Sequence, residues 1–177
     1  GIPGYITPAG FVHSFKPKIF GDSVVVNCFR HDKENKLWIG DRKNNIYVFQ
    51  NDSLLQKYHL NDVSGIDAFI EDQHGRMWFT TKNTSLIYYF EGSQIKNIRI
   101  YPDDRMFNTS HRSILLRRGF IVIYGYTHFA VIDPNTLNII YKKEFAAETS
   151  GKIIGIYEGD DYKLWIGTTN GINVYAQ

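Results

Sequence analysis

Asp161-Tyr162-Lys163-Leu164-Trp165-Ile166-Gly167-Thr168-Thr169-Asn170-Gly171 decides the fold of this chain, because its centre recurs. Lys36-Leu37-Trp38-Ile39-Gly40 and Arg76-Met77-Trp78-Phe79-Thr80 are earlier copies. Trp38 and Trp78 lie 40 residues apart, and Trp165 follows 87 residues later, close to two further periods. The intervening copy is Arg118-Gly119-Phe120-Ile121-Val122-Ile123-Tyr124-Gly125, with Val122 in the tryptophan position. A fixed period of this length means stacked copies of one small unit.

Each unit reads as four short strands rich in Val, Ile, Tyr and Phe, divided by clusters of Asn, Asp, Gly and Ser. In the first unit they cover about 24–30, 36–40, 46–50 and 54–60, and in the second about 65–71, 76–81, 86–90 and 94–100. Four strands every 40 to 45 residues predict an all-β chain, a β-propeller of four-stranded antiparallel blades. A helical repeat of similar period needs Leu, Ala, Glu and Lys at three-and-four spacing, which is absent. The expected division is the end of a preceding blade at 1–21, blades at 22–61, 62–103 and 108–148, and a last blade at 150–177 lacking its outer strand. Phe11–Phe15 is a spare strand that could pair with Ile172–Tyr175, within one chain or between two.

Composition narrows the function. Charged residues are 21% and the net charge is +2, which gives no electrostatic surface for nucleic acid. Cys28 is the single cysteine, so there is no disulfide scaffold, and no apolar run approaches membrane-spanning length. No signal peptide is visible. There is no His-Glu-x-x-His, paired-cysteine spacing, phosphate loop or Gly-x-Ser-x-Gly. His13, His31, His59, His74, His111 and His128 are scattered singly, and several read as solvated turn residues. Asp103-Asp104 and Asp160-Asp161 read as turn formers. The expectation is no catalytic residue, no metal site and no cofactor. The sequons at Asn51, Asn83 and Asn108 matter only in a secretory eukaryotic host.

The phrase from Asp161 to Tyr175 resembles the two-component-regulator propeller repeat, whose usual form is an acidic residue, Gly-x-Leu-Trp-Ile-Gly-Thr, two variable positions and Gly-Leu. The first unit departs from it with Asp41 for the threonine and Asn45 for the later glycine, the second with Phe79-Thr80-Thr81, and the third keeps mainly Gly119. The resemblance implies a periplasmic sensor portion of a bacterial membrane histidine kinase, often a hybrid type responding to glycan breakdown products. Family propellers usually have seven blades, so four units imply a partial propeller, and any membrane contact would be made by other parts of the receptor.

The tryptophans and the glycines after them read as fold-makers, all three indoles being expected in the core. Function is then expected on the face bearing the turns 41–44, 82–85, 125–128 and 168–170 and the linkers 61–64, 101–112 and 146–150, of which 101–112 is the longest. The candidate ligand-binding residues are Arg42, Lys82, Arg105, Asn108, Tyr126 and His128, offering stacking and hydrogen bonds to an oligosaccharide. Two alternatives are a protein-interaction scaffold working through sheet edges, and a propeller lyase of the antibiotic-inactivating kind, whose cadence Met77-Trp78-Phe79-Thr80 resembles.

Overall fold

Strands account for all the regular structure in the computed structural model, which describes residues 4–6, 12–14, 24–102, 111–145 and 151–175. A two-stranded ladder, β1 (Gly4–Ile6) and β2 (Val12–Ser14), precedes four sheets. The first is β3 (Val26–His31), β4 (Leu37–Asp41), β5 (Asn45–Gln50) and β6 (Ser53–His59). The second is β7 (Ser64–Glu71), β8 (Met77–Lys82), β9 (Leu86–Glu91) and β10 (Gln94–Arg99). The third is β11 (Arg112–Leu115), β12 (Ile121–Tyr124), β13 (His128–Asp133) and β14 (Asn138–Glu144), and the fourth is β15 (Ile153–Glu158), β16 (Leu164–Thr168) and β17 (Gly171–Tyr175). Every sheet is an antiparallel meander in chain order, which is the propeller blade the sequence predicts. Among the described ladders β2 pairs with β1 and β17 with β16, and none joins β2 to β17.

Register makes the repeat exact in space. Trp38 sits between Arg30 and Val48, Trp78 between Ile70 and Tyr89, Val122 between Ile114 and Val131, and Trp165 between Tyr157 and Val174. Each of these residues belongs to a second strand, yet their burial differs. Trp78 is fully buried against Ile121, Ile123 and Ile132 of the third blade. Trp38 is half-buried, its ring 5.0 Å from Phe90 of the second blade. Trp165 is 42% exposed, a correction to the expectation of three core indoles. The indole faces the following blade, and the sheet face carrying Trp165, Tyr157, Ile172 and Val174 meets no further sheet among the described residues. Val122 is fully buried, enclosed with Leu116, Tyr124 and Phe129 and backed by Phe120, so neighbours supply the missing volume.

The tryptophan also has a polar task. Trp38 Nε1 donates to Asp32 Oδ2 at 2.8 Å, and Trp78 Nε1 to Asp72 Oδ2 at 2.9 Å. The other oxygen holds the turn between first and second strands: Asp32 Oδ1 accepts from the Glu34 and Lys36 backbone N–H groups, Asp72 Oδ1 from those of His74 and Arg76. The turn needs a left-handed residue, supplied by Asn35 (φ 60°) and Gly75 (φ 78°). In the third blade both members of the clasp are replaced together, by Leu116 and Val122, while in the fourth Gly159 stands in the aspartate position.

Adjacent blades are tied at both rims. On the turn side of the second strands, Asn27 Nδ2 donates to Ile66 O (2.7 Å), the His111 backbone N–H donates to Asp67 Oδ2 (3.0 Å), and Arg112 Nη1 donates to Ile154 O (3.0 Å). Asn27, Asp67 and Ile154 are all bulge residues of first strands, where an extra residue re-aims the side chain or carbonyl across the junction. On the opposite rim Glu71 Oε2 accepts from the Lys33 backbone N–H (3.0 Å) and Glu158 Oε2 from that of Arg117 (2.6 Å). First strands lie against one another, β3 on β7 and β7 on β11, which brings these ties close to the axis.

Candidate functional site

The turns after the second strands set out the loop face. Asp41, fully buried, caps the first: its Oδ1 accepts from the Lys43 and Asn45 backbone N–H groups at 2.8 Å, and its Oδ2 from Asn45 Nδ2 and the Tyr47 hydroxyl. Thr168 does the same work in the last blade with one hydroxyl, donating to Gly171 O and accepting from the Asn170 N–H. The aspartate that departs from the repeat pattern is therefore a stronger cap at the same place. Burial, and then the Asp41 charge, pushes the Tyr47 hydroxyl up to about 12.

One residue further on stand Arg42, Lys82 and Tyr126, three of the candidate residues at one position of successive blades. Arg42 and Lys82 come together, lining a cleft of about 280 Å³ between the first two blades with Asn27, Asn44 and Ser64. Asn44, itself left-handed (φ 67°), locks its rims by accepting from the Gly65 N–H at 2.6 Å. Below lies Asp67, its side chain 2% exposed, accepting from Asn27 Nδ2 at 3.1 Å and standing 4.0 Å from Lys82 Nζ. The Arg42 guanidinium meets no carboxylate among the described residues, and its backbone N–H is bonded to Val25 O. Asn27 and Asp67 were not singled out from sequence. Asn27 stands between Val26 and Cys28 and Asp67 between Ile66 and Ala68, which alternation alone reads as ordinary outward-facing positions.

Tyr126 lies elsewhere, half exposed at the junction of the third and fourth blades, with Lys152 Nζ 5.6 Å from its ring centre. His128 is not on the surface at all. It opens β13 and is 2% exposed, its ring 5.6 Å from that of Tyr101 and 5.4 Å from that of His111, which is also buried. These two histidines are therefore a packed pair and not solvated turn residues. Burial, and then the charge of His111, pushes His128 down to about 4, and burial lowers His111 too, so both rings are neutral near pH 7. Arg105 and Asn108 lie outside the described residues.

Two other hollows bracket this site. On the opposite rim a space of about 490 Å³ between the first two blades is floored by Trp38 and Phe90, with Lys36 paired to Glu34 and Arg76 to Asp72. Between the third and fourth blades an apolar hollow of about 330 Å³ is lined by Phe129, Tyr141, Leu164 and Tyr175, and not by Val122. No group of three His, Cys, Asp or Glu side chains placed to hold a metal occurs among the described residues.

No protein-family model and no curated protein matches the chain. Solved structures do. Virginiamycin B lyase from Staphylococcus aureus superposes with a TM-score of 0.74 at 18% identity, covering 97% of this chain and 61% of the lyase. The extracellular domains of two hybrid two-component systems from B. thetaiotaomicron superpose with TM-scores of 0.66 and 0.57 at 14% and 20% identity, covering 97% and 86% of this chain and 23% and 21% of theirs. The chain thus spans about three fifths of the length of the lyase it matches and less of the sensors. At these identities the likeness establishes the propeller fold.

Proposed function

We propose that this chain is a non-catalytic recognition segment of a bacterial two-component sensor propeller, acting on the periplasmic side and binding a carbohydrate in the loop-face cleft between the first two blades. The observation that carries the reading is the cleft: Arg42 and Lys82 converge there over a buried Asp67, on the face bearing the turns that follow the second strands. The Leu164-Trp165-Ile166-Gly167-Thr168 repeat and the fold shared with two sensor extracellular domains support the setting. Thermal-shift screening of the 177-residue chain against a panel of neutral and acidic oligosaccharides tests it, with a concentration-dependent rise in Tm as the expected result. A flat response across the panel overturns the carbohydrate reading.

A role in receptor assembly is supported by the edge of β17, unpaired among the described residues, and by the exposed Tyr157, Ile172 and Val174 beside it. Light scattering is its test: a strict monomer at millimolar concentration removes it. The lyase reading draws on the superposition with virginiamycin B lyase. Turnover of that antibiotic by this chain, abolished by replacing one acidic or histidine residue, would replace recognition with catalysis.

A further inference from the structure

We infer that the loop-face cleft takes a carboxylate-bearing sugar, a uronate, with Arg42 and Lys82 reading the carboxylate; this rests on the carbohydrate reading above and narrows it to an anionic class.

The charge balance of the cleft carries the inference. Two acidic side chains beside it, Asp41 and Asp67, are already used, and exposed Asp62, next to the lining residue Val63, forms no ion pair with Arg42 or Lys82. Asp41 is fully buried and saturated by the donors of its own turn. Asp67 is sealed beneath the floor, where Asn27 Nδ2 and the His111 N–H occupy its two oxygens, and it partly offsets Lys82 at 4.0 Å. Arg42 is left as an exposed guanidinium without a carboxylate among the described residues. A planar guanidinium presents paired donors that match a carboxylate, and an ammonium beside it adds a point charge. A fixed turn places the two cations: Asn44 joins its side-chain oxygen to the Gly65 N–H, so the rims of the first and second blades stay in one relation.

The lining also excludes the usual alternative. A neutral sugar ring is held chiefly by stacking on an aromatic face, and no aromatic side chain lines this cleft. Tyr126, the aromatic counterpart of Arg42 and Lys82, stands at another junction. Ser64 at the mouth and the free side of Asn27 supply hydrogen bonds for hydroxyl groups. A volume of about 280 Å³ suits one ring rather than a long chain.

Calorimetric titration of the full chain with glucuronate, glucose and acetate tests this, together with Arg42→Ala, Arg42→Lys and Lys82→Ala. Exposed Arg118→Ala, at a distant turn, is the control. Glucuronate should bind at least about tenfold more tightly than glucose, lose about tenfold in affinity in each alanine variant, and weaken as salt is raised. Arg42→Lys should recover only part of the loss, because the charge returns without the paired donors. Equal affinity for glucose and glucuronate, or an Arg42→Ala variant that binds unchanged, overturns the anionic reading and leaves carbohydrate recognition standing. Acetate binding as tightly as glucuronate upholds the carboxylate site and overturns the sugar. Absence of binding by all three ligands overturns this inference, while a Tm rise with other glycans would still uphold the broader reading.

Discussion

Removing the indole donor from the second blade, while keeping a ring in its place, separates the two tasks of Trp78. Trp78→Phe preserves most of the packing against Ile121, Ile123 and Ile132 but leaves Asp72 Oδ2 without the 2.9 Å bond. Asp72 is fully buried, and it also takes the Arg76 side chain at 2.8 Å and two backbone N–H groups. A hydrogen bond to a charged group is worth about 1.5–3 kcal/mol, so the coupling between the two residues should fall in that range. The assay is a double-mutant cycle of Trp78→Phe, Asp72→Asn and the double variant, read from urea midpoints with m held constant. Trp165→Phe is the internal control, because Gly159 offers no carboxylate and water reaches the indole; it should cost less than about 1 kcal/mol. Additivity of the Trp78 and Asp72 variants within about 0.5 kcal/mol would falsify the clasp as an energetic unit.

Stability should fall as pH drops from about 6.5 to about 4, because the unfolded chain protonates His128 before the folded chain does; the loss is about 3 kcal/mol, and His128→Asn should flatten urea midpoints measured across that window. Asp72, held below the usual carboxylate range by Trp78 and Arg76 against its own burial, contributes stability present at neutral pH and lost only below about 4. Gly40→Ala should cost about 1–3 kcal/mol, since its methyl would lie 2.6 Å from Ile66 and 2.8 Å from Cys28 Sγ, while Gly167→Ala, with nothing nearer than 3.5 Å, should change the midpoint by less than about 0.5 kcal/mol. Burial, and then the Asp67 charge, pushes the Cys28 thiol up to about 12, so disulfide-reagent labelling at pH 8 should run about a hundredfold slower in the folded chain than in denaturant; equal rates refute that environment.

Blade spacing was legible because each unit must make the same turns, and even the third kept its apolar alternation when its tryptophan was gone. The degree of burial was not legible, since the exposure of Trp165 depends on the neighbouring sheet and not on its own strand. Likewise Gly40 and Gly167 carry the same letter in the same phrase, but only Gly40 is pressed by the next blade. Within the candidate site, Arg42 and Lys82 could be placed because they sit on turns of predictable position. His128 was misplaced because its turn is one residue shorter than it reads, making His128 the first residue of a strand that points inward. Asp67 and Asn27 escaped notice because a bulge redirects them, and an inserted residue leaves no mark in a pattern of alternation.

The paired replacement in the third blade shows that the clasp is one unit with two chemical solutions. Where a following blade seals the site, losing the indole alone strands a charged oxygen, and losing the carboxylate alone strands an N–H; either single step is a valley. Leu116 and Val122 are apolar on both sides at once, an oily solution to the problem that Asp32 and Asp72 solve with a bond. At the fourth blade, Gly159 stands in the aspartate position and Trp165 is 42% exposed. Where the next blade closes over the indole, donor and acceptor thus stand or fall as a pair, and a change at one calls for an answering change at the other.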